Sequence, residues 1–199
     1  MDRFKRKLTE EEQKVEDQIK ELRKKLPSKI KKPKVLPVCV SEDEFTQIIK
    51  NTNQEHHKLA FLLGFGAGLR ISEVINLEPR DILIKEKRIL VRQGKNQKDR
   101  IVPLPKGFKE KHIKLIPIKC KQRSLQIAFK SACKKAGILE QKPTIHFHSL
   151  RHGFGTQMVA NGVPIHHIKM LMGHSNIATT SIYLVSNPLD ALKSYEELF

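Results

Sequence analysis

Apolar residues recur at helical spacing near the start of the chain, and they predict an amphipathic helix over residues 8–26. Thr9 and Glu12 have the spacing of a capping box at its beginning. The stretch PSKIKKPKVLP follows, and its prolines and lysines are typical of a stiff, basic linker. We therefore expect a basic N-terminal helix and linker over residues 1–37 and a main domain over residues 38–199.

The first half of the main domain changes from helical to strand-like spacing. Ser41 is a candidate cap for a helix with acidic residues in its first turn. HHKLAFLLGFGAG predicts a buried helix that ends at Gly66 and Gly68, and Ser72 can cap a new short helix. The short apolar runs ILI, ILV and IVPL are separated by charged turns, which indicates a small antiparallel sheet.

From residue 123 onward the spacing is helical again. RSLQIAFKSACKKAG and HSLRHGFGTQMVANG each end in a glycine, as helices often do. Pro164 begins another helix, SNIATTSIYLV forms the next, and Pro188 begins a C-terminal tail helix. The predicted fold is therefore mainly α with a small three-stranded antiparallel β-sheet, an α+β arrangement.

The charge is strongly and unevenly positive. Lys and Arg total 38 against 21 acidic residues, and the excess is concentrated in residues 85–100 and 106–135. Clustered positive charge favours a polyanion, and nucleic acid is the usual one. A merely basic soluble protein or an anionic membrane surface are the alternatives.

Several function classes do not fit the chain. It has no apolar run long enough to cross a membrane and no apolar segment near its start that resembles a secretory signal. Its three cysteines are far apart and form no CxxC pair, so we expect reduced thiols, a cytoplasmic location and neither a disulfide framework nor a zinc knuckle. With no acidic or histidine cluster of metal-binding spacing, we expect no metal and no cofactor.

Cleaving a phosphodiester without a metal requires a nucleophile, fixed cations on the phosphate oxygens and an acid for the leaving oxygen. Arg70 lies where two predicted helices meet, and His148 and Arg151 have the spacing of one helix face. Lys95 lies in the predicted turn between the last two strands. Taken singly, each is as compatible with an ordinary surface charge or salt bridge, and Tyr183 with an ordinary packing aromatic.

Taken together and in order, these motifs resemble the catalytic domain of tyrosine recombinases, which include phage integrases and Xer-type recombinases. The resemblance covers residues 41–185. The motifs that carry it are Arg70 in GLRISE, Lys95 in GKNQKDRIVPL, His148 and Arg151 in HSLRH, His174 in LMGH and Tyr183 in SNIATTSIY.

The resemblance implies a role for each matched residue. Tyr183 would attack the scissile phosphate and form a 3′-phosphotyrosyl link, while Arg70 and Arg151 hold the phosphate oxygens. Lys95 would protonate the leaving 5′-oxygen. His148 would take the tyrosine proton and later return it, since histidine titrates near neutrality.

Two further residues support this set. His174 would donate a hydrogen bond to the phosphate, and Glu73 would orient the active-site cations. The basic stretches predict additional DNA contacts by Arg92, Lys98, Arg100, Lys121 and Arg123. The implied partner is double-stranded DNA in the nucleoid, with a homotetramer assembled on paired DNA sites.

The chain departs from the family in two places. Only 40 residues precede Ser41, where such recombinases usually carry a separate helical domain that completes a clamp around DNA. Tyr183 is followed by LVSN, where many relatives have Thr-His. A site-specific recombinase or integrase is the favoured function. DNA relaxation of the type IB topoisomerase kind and a non-catalytic DNA-binding remnant stay open.

Overall fold

The computed structural model describes residues 9–25, 37–92 and 99–173. The chain divides into two units, Met1–Val35 and Leu36–Phe199. The predicted helices around SNIATTSIYLV and after Pro188 lie outside the described residues. None of the helices described is long and apolar enough to span a membrane.

The first unit contains helix α1, Glu10–Lys25. Its predicted capping box is confirmed, because Thr9 accepts from the Glu12 amide at 3.4 Å and Glu12 accepts from the Thr9 amide at 2.8 Å. The apolar side chains of Val15 and Ile19 are exposed.

The second unit is built around α3, Glu55–Gly66, which is apolar on most sides and therefore buried. It packs against α2 (Glu42–Lys50), α5 (Gln122–Lys135) and α7 (His148–Ala160). The predicted Ser41 cap on α2 is confirmed, and Glu44 completes a capping box there.

Aromatic rings fill the centre of this core. The ring of Phe61 on α3 meets Phe129 on α5 edge to face, with centroids 5.4 Å apart, and Phe147 before α7 at 6.0 Å. All three side chains are almost completely buried. Such rings contribute both apolar area and fixed packing geometry, so α3, α5 and α7 form a rigid base for the segments that follow them.

The predicted sheet is confirmed, with strands β1 (Ile82–Leu83), β2 (Arg88–Val91) and β3 (Arg100–Pro103) in that order. Both pairings are antiparallel, and Val91 lies opposite Arg100. Side chains alternate between the two faces, so Ile89, Val91 and Val102 are buried.

The described part of this unit also contains three short α-helices, α4 (Ile71–Ile75), α6 (Ile138–Gln141) and α8 (Ile165–Met172), and two 3-10 helices, Pro79–Asp81 and Glu110–Leu115. The prediction that Ser72 caps α4 is wrong, because the helix already begins at Ile71 and Arg70 occupies the capping position. Gly68 is left-handed, with φ 65°, and a Cβ there would meet the Phe154 ring at 2.5 Å. The reversal after α3 therefore requires glycine.

Candidate active site

Four charged side chains from different elements converge in the second unit. Arg70 precedes α4, Glu73 lies in the first turn of α4, Arg100 begins β3 and Arg151 lies in α7. Together these residues are called the arginine cluster below. Residues far apart in sequence are thus brought around one carboxylate by the packing of α4, β3 and α7.

Glu73 is held first by the residue that caps its own helix. The Arg70 backbone is extended, with φ −73° and ψ 154°, and its amide donates to Glu73 Oε2 at 2.7 Å. The Arg70 Nη1 donates to Oε1 of the same carboxylate at 2.8 Å. The GLRISE segment therefore places arginine and glutamate against each other by local geometry alone.

Arg100 approaches the same carboxylate from the sheet. Its Nη1 and Nη2 donate to the two Glu73 oxygens at 2.8 Å each, which is a bidentate pair. The Arg100 and Glu73 side chains are 9% and 8% exposed, so water screens this pair little.

Arg151 is the largest fully buried side chain, with 1% of the residue exposed. Its Nη1 donates to the Gly68 carbonyl at 2.5 Å and lies 3.9 Å from Glu73 Oε2. Burying a guanidinium is costly unless its donors are satisfied, and here the backbone and a carboxylate surround it. Its position is therefore closely defined.

Three consecutive backbone carbonyls at the end of α8 accept hydrogen bonds from the three arginines. A helix C-terminus carries unsatisfied carbonyls and a partial negative charge, and both favour cations. Each carbonyl accepts a hydrogen bond from a different arginine: Leu171 from Arg100, Met172 from Arg151 and Gly173 from Arg70.

Three cations surround one carboxylate in the arginine cluster. Burial acts to raise the pKa of Glu73, but the hydrogen bond and charge of Arg100, with those of Arg70, outweigh it and hold the pKa at about 2. Glu73 is thus ionised at any physiological pH. Positive charge remains in excess within the cluster, and this suits an anionic ligand such as a phosphodiester.

His148 lies one helical turn before Arg151 and is partly buried. Burial lowers the pKa of its imidazole, and the nearby Arg151 guanidinium lowers it further. The neutral ring is therefore favoured at neutral pH, and a neutral imidazole can accept a proton.

Two more histidines flank His148. The His146 ring lies parallel to it with centroids 6.3 Å apart, and the His152 ring lies 5.6 Å away on the next turn of α7. Burial, and then the charge of His148, lower the pKa of His152 to about 4. For His148 itself, the charges of Arg151, His146 and Arg70 add to the effect of burial in lowering the pKa.

Lys95, His174 and Tyr183, and the predicted DNA contact Lys98, lie outside the described residues. Their roles stay predictions. In the chain, β2 ends at Val91 and β3 begins at Arg100, on either side of residues 93–98, and α8 ends at Met172, two residues before His174.

The remaining predicted DNA contacts fall into two groups. Lys121 and Arg123 are exposed at the beginning of α5, and Arg92 is exposed with its Nε donating to Asp81 Oδ1 at 2.6 Å. Arg100 differs, because its guanidinium points into the arginine cluster rather than to solvent.

The inward position of Arg100 is the feature that sequence reasoning missed. Arg100 and the buried Val102 are two residues apart on β3, so their side chains share one face of the sheet. This alternation was a usable signal, but the basic character of the surrounding stretch favoured a surface position.

A separate group of metal-ligating side chains lies at the other end of α3. Within the described residues, ligand atoms of His56, His57 and Cys120 lie within 4.8 Å of one another, a set that could hold an ion such as Zn²⁺. His56 is about 15 Å along the helix from Gly66, so this group is not adjacent to the arginine cluster.

Comparison with known proteins places these features in context. The sequence model of the phage integrase family matches residues 39–189. Tyrosine recombinase XerA of Pyrococcus horikoshii is 35% identical over 176 residues, 78% of this chain and 60% of that protein. A tyrosine recombinase of Thermosipho africanus is 35% identical over 182 residues, 78% of this chain and 61% of that protein. The chain thus spans about three fifths of the length of these relatives.

Solved structures agree in fold. The crystal structure of XerA recombinase matches with a TM-score of 0.65 and 28% identity, over 83% of this chain and 66% of that one. XerH recombinase bound to its difH substrate matches with a TM-score of 0.59 and 21% identity, over 75% and 51%. The predicted fold class is therefore confirmed.

Proposed function

We propose that this chain, which belongs to the phage integrase family, is a site-specific DNA recombinase. It would cleave and rejoin DNA through a 3′-phosphotyrosyl intermediate. The observation that carries the proposal is the arginine cluster, with His148 one turn from Arg151. Integration, excision or resolution of DNA would all use this chemistry. We assign it to residues 38–199.

The arginine cluster supports phosphate binding. A guanidinium offers five N–H donors in a planar fork, so Arg70 can keep its bond to Glu73 while donating to a phosphate oxygen. Arg151 lies in the same cluster, and its low exposure gives its charge a strong effect on a bound anion.

In the proposed reaction, the Tyr183 oxygen attacks phosphorus and its proton passes to His148. The bond between phosphorus and the 5′-oxygen breaks as Lys95 donates a proton to that oxygen. One phosphodiester is exchanged for another, so the reverse reaction can rejoin strands without ATP or another cofactor. A neutral His148 supports this direction of proton transfer, since its pKa is lowered by burial and by Arg151.

Lys121, Arg123 and Arg92 support a DNA-facing surface, since exposed cations contact phosphates at little geometric cost. We propose double-stranded DNA as the partner, a homotetramer on paired sites as the working assembly and the nucleoid as its location. XerH and lambda integrase have been crystallised on DNA, which supports the first of these proposals.

The test is a pool of nicked duplexes whose sequence is randomised across the cleavage position. A nick next to the cleaved bond releases a short fragment and traps the covalent complex. We expect a protein–DNA adduct that survives denaturation, disappears in Tyr183→Phe and persists in Tyr195→Phe, the matched control among the two tyrosines.

An adduct that persists in Tyr183→Phe would show that another residue is the nucleophile. DNA binding without any adduct would favour the non-catalytic remnant. Relaxation of a supercoiled plasmid without joining of two sites would favour a type IB topoisomerase-like enzyme.

A further inference from the structure

We propose that Arg100 is a positioning residue that supplies the countercharge of Glu73 and joins β3 to the end of α8, so that the charges of Arg70 and Arg151 can act on the phosphate. This inference rests on the proposed function and deepens it. It replaces the prediction that Arg100 contacts DNA directly.

Each of the three nitrogens in the Arg100 guanidinium group makes a contact inside the protein. Two nitrogens donate to the two Glu73 oxygens at 2.8 Å, and the third, Nε, donates to the Leu171 carbonyl at 2.8 Å. The side chain is 9% exposed. Both terminal nitrogens of this guanidinium are thus turned toward Glu73, which makes that carboxylate the main partner of Arg100.

Gly173 shows how closely the arginine passes the end of α8. Gly173 is left-handed, with φ 59°, and a Cβ there would lie 3.1 Å from Arg100 Cδ and 3.3 Å from its Nε. Glycine therefore meets two requirements at this position, the backbone conformation and the close approach.

The chemical consequence follows from charge balance. Without Arg100, the Glu73 carboxylate would pair with Arg70 and Arg151, because they are the remaining cations of the cluster. Both would then be drawn toward Glu73 and away from a bound phosphate. With Arg100 in place, Glu73 orients the other arginines while its charge is already balanced.

Removing Arg100 has a second, measurable effect. The desolvation of Glu73 would remain, while the largest interaction that lowers its pKa would be lost, so the pKa of Glu73 would rise. Activity that depends on ionised Glu73 would then fall as pH drops through this raised pKa. In the unmodified protein, protonation of Glu73 causes no such loss of activity, called an acid limb below, above a pH of about 2.

The experiment compares Arg100→Gln with Arg80→Gln, which removes an exposed arginine paired with Glu78. Adduct formation on the nicked duplex pool is measured at saturating DNA, together with the dissociation constant for the same DNA. We expect Arg100→Gln to slow the reaction about a hundredfold, in line with small misplacements of catalytic groups. Affinity should change less than about threefold, and Arg80→Gln should change neither value.

The pH profile separates positioning from general damage to the fold. Arg100→Gln should acquire an acid limb, and the double variant Arg100→Gln with Glu73→Gln should lose it again. If Arg100→Gln does not fold, Arg100→Lys replaces it. One ammonium cannot bond both carboxylate oxygens as a guanidinium does, so slower adduct formation is again expected. Reduced DNA affinity with an unchanged rate at saturation would overturn the proposal.

One measurement does not depend on activity, so it still tests the role of Arg100 if the proposed function is wrong. The Glu73 carboxyl carbon can be titrated by NMR in the free protein. A higher Glu73 pKa in Arg100→Gln than in the unmodified chain supports the pairing, even if no DNA adduct forms. An unchanged Glu73 titration overturns the pairing, whatever the DNA result.

Discussion

The arginine cluster and the exposed cations of α5 contain the same kinds of charged side chain, but the first group is largely buried and the second is exposed to solvent. Arg151 is 1% exposed and bonded to backbone carbonyls, whereas Lys121 and Arg123 are exposed to solvent at the beginning of their helix. Buried charges interact strongly and depend on exact neighbours, while exposed charges are screened and act almost independently. Position therefore decides how strongly these charges interact with their surroundings more than residue type does.

The largest effect should come from removing the carboxylate at the centre of the arginine cluster. Glu73→Ala leaves several buried guanidinium groups without their countercharge, which typically costs about 3–5 kcal/mol. Chemical denaturation measures this loss in the free energy of unfolding. Glu78→Ala, which breaks the exposed pair with Arg80, should cost less than about 1 kcal/mol. Equal losses for the two variants would contradict the distinction between buried and exposed charges.

Acid should weaken the cluster before it affects the exposed cations. The pKa of Glu73 is lowered from 4.5 to about 2 on folding, so its contribution is complete above pH 4.5 and is lost as pH falls toward 2. Linkage gives this contribution as on the order of 3 kcal/mol. Unfolding free energies measured from pH 5 to pH 2 should show this loss, and Glu73→Gln should lack that component. An identical pH dependence in both proteins would contradict the prediction.

A smaller effect tests the contact between Arg100 and the end of α8. Gly173→Ala introduces a Cβ at a left-handed position and against Arg100, whereas Gly162→Ala meets the same backbone strain with nothing within 4 Å. Both should lose about 1–2 kcal/mol from the strained backbone. Gly173→Ala should lose more, and thermal unfolding of the two variants measures the difference. Equal losses of stability in the two variants would show that the Arg100 side chain moves aside without a cost in free energy.

The smallest effect on stability should come from the exposed cations. Lys121→Gln and Arg123→Gln should each change the free energy of unfolding by less than about 0.5 kcal/mol. DNA binding measured against salt should nevertheless change, because each lost phosphate contact lowers the slope of log affinity by about 0.9. A salt slope that is unaltered in both variants would show that this surface does not bind phosphate.

Much of this architecture was predictable because it is local. Ser41 and Thr9 cap their helices through contacts three residues away, and alternating apolar runs specify the sheet. Gly66 ends α3 as expected. Ser72 failed as a cap because Glu73, one residue further on, can reach back to the Arg70 amide, and this competing pair determines where α4 begins.

The arrangement within the candidate site was less predictable. The order of motifs indicated Arg70, His148 and Arg151, but spacing along a chain carries no information about which charges meet across the fold. Arg100 lies 27 residues from Glu73, and their bidentate contact depends on how the fold brings the first residue of β3 to the first turn of α4. The basic stretch around Arg100 looked uniform in charge, and its alternation with the apolar Val102 was the one signal in the sequence that set this arginine apart.

The carbonyls that end α8 give the cluster a property beyond geometry. Leu171, Met172 and Gly173 each accept from a guanidinium that an anionic ligand would also attract. The same guanidinium groups therefore hold the last turn of α8 and face the place where a ligand would bind. If a bound anion weakened these hydrogen bonds, the coupling would be reciprocal, and one free energy would link the stability of that turn to the affinity for the anion.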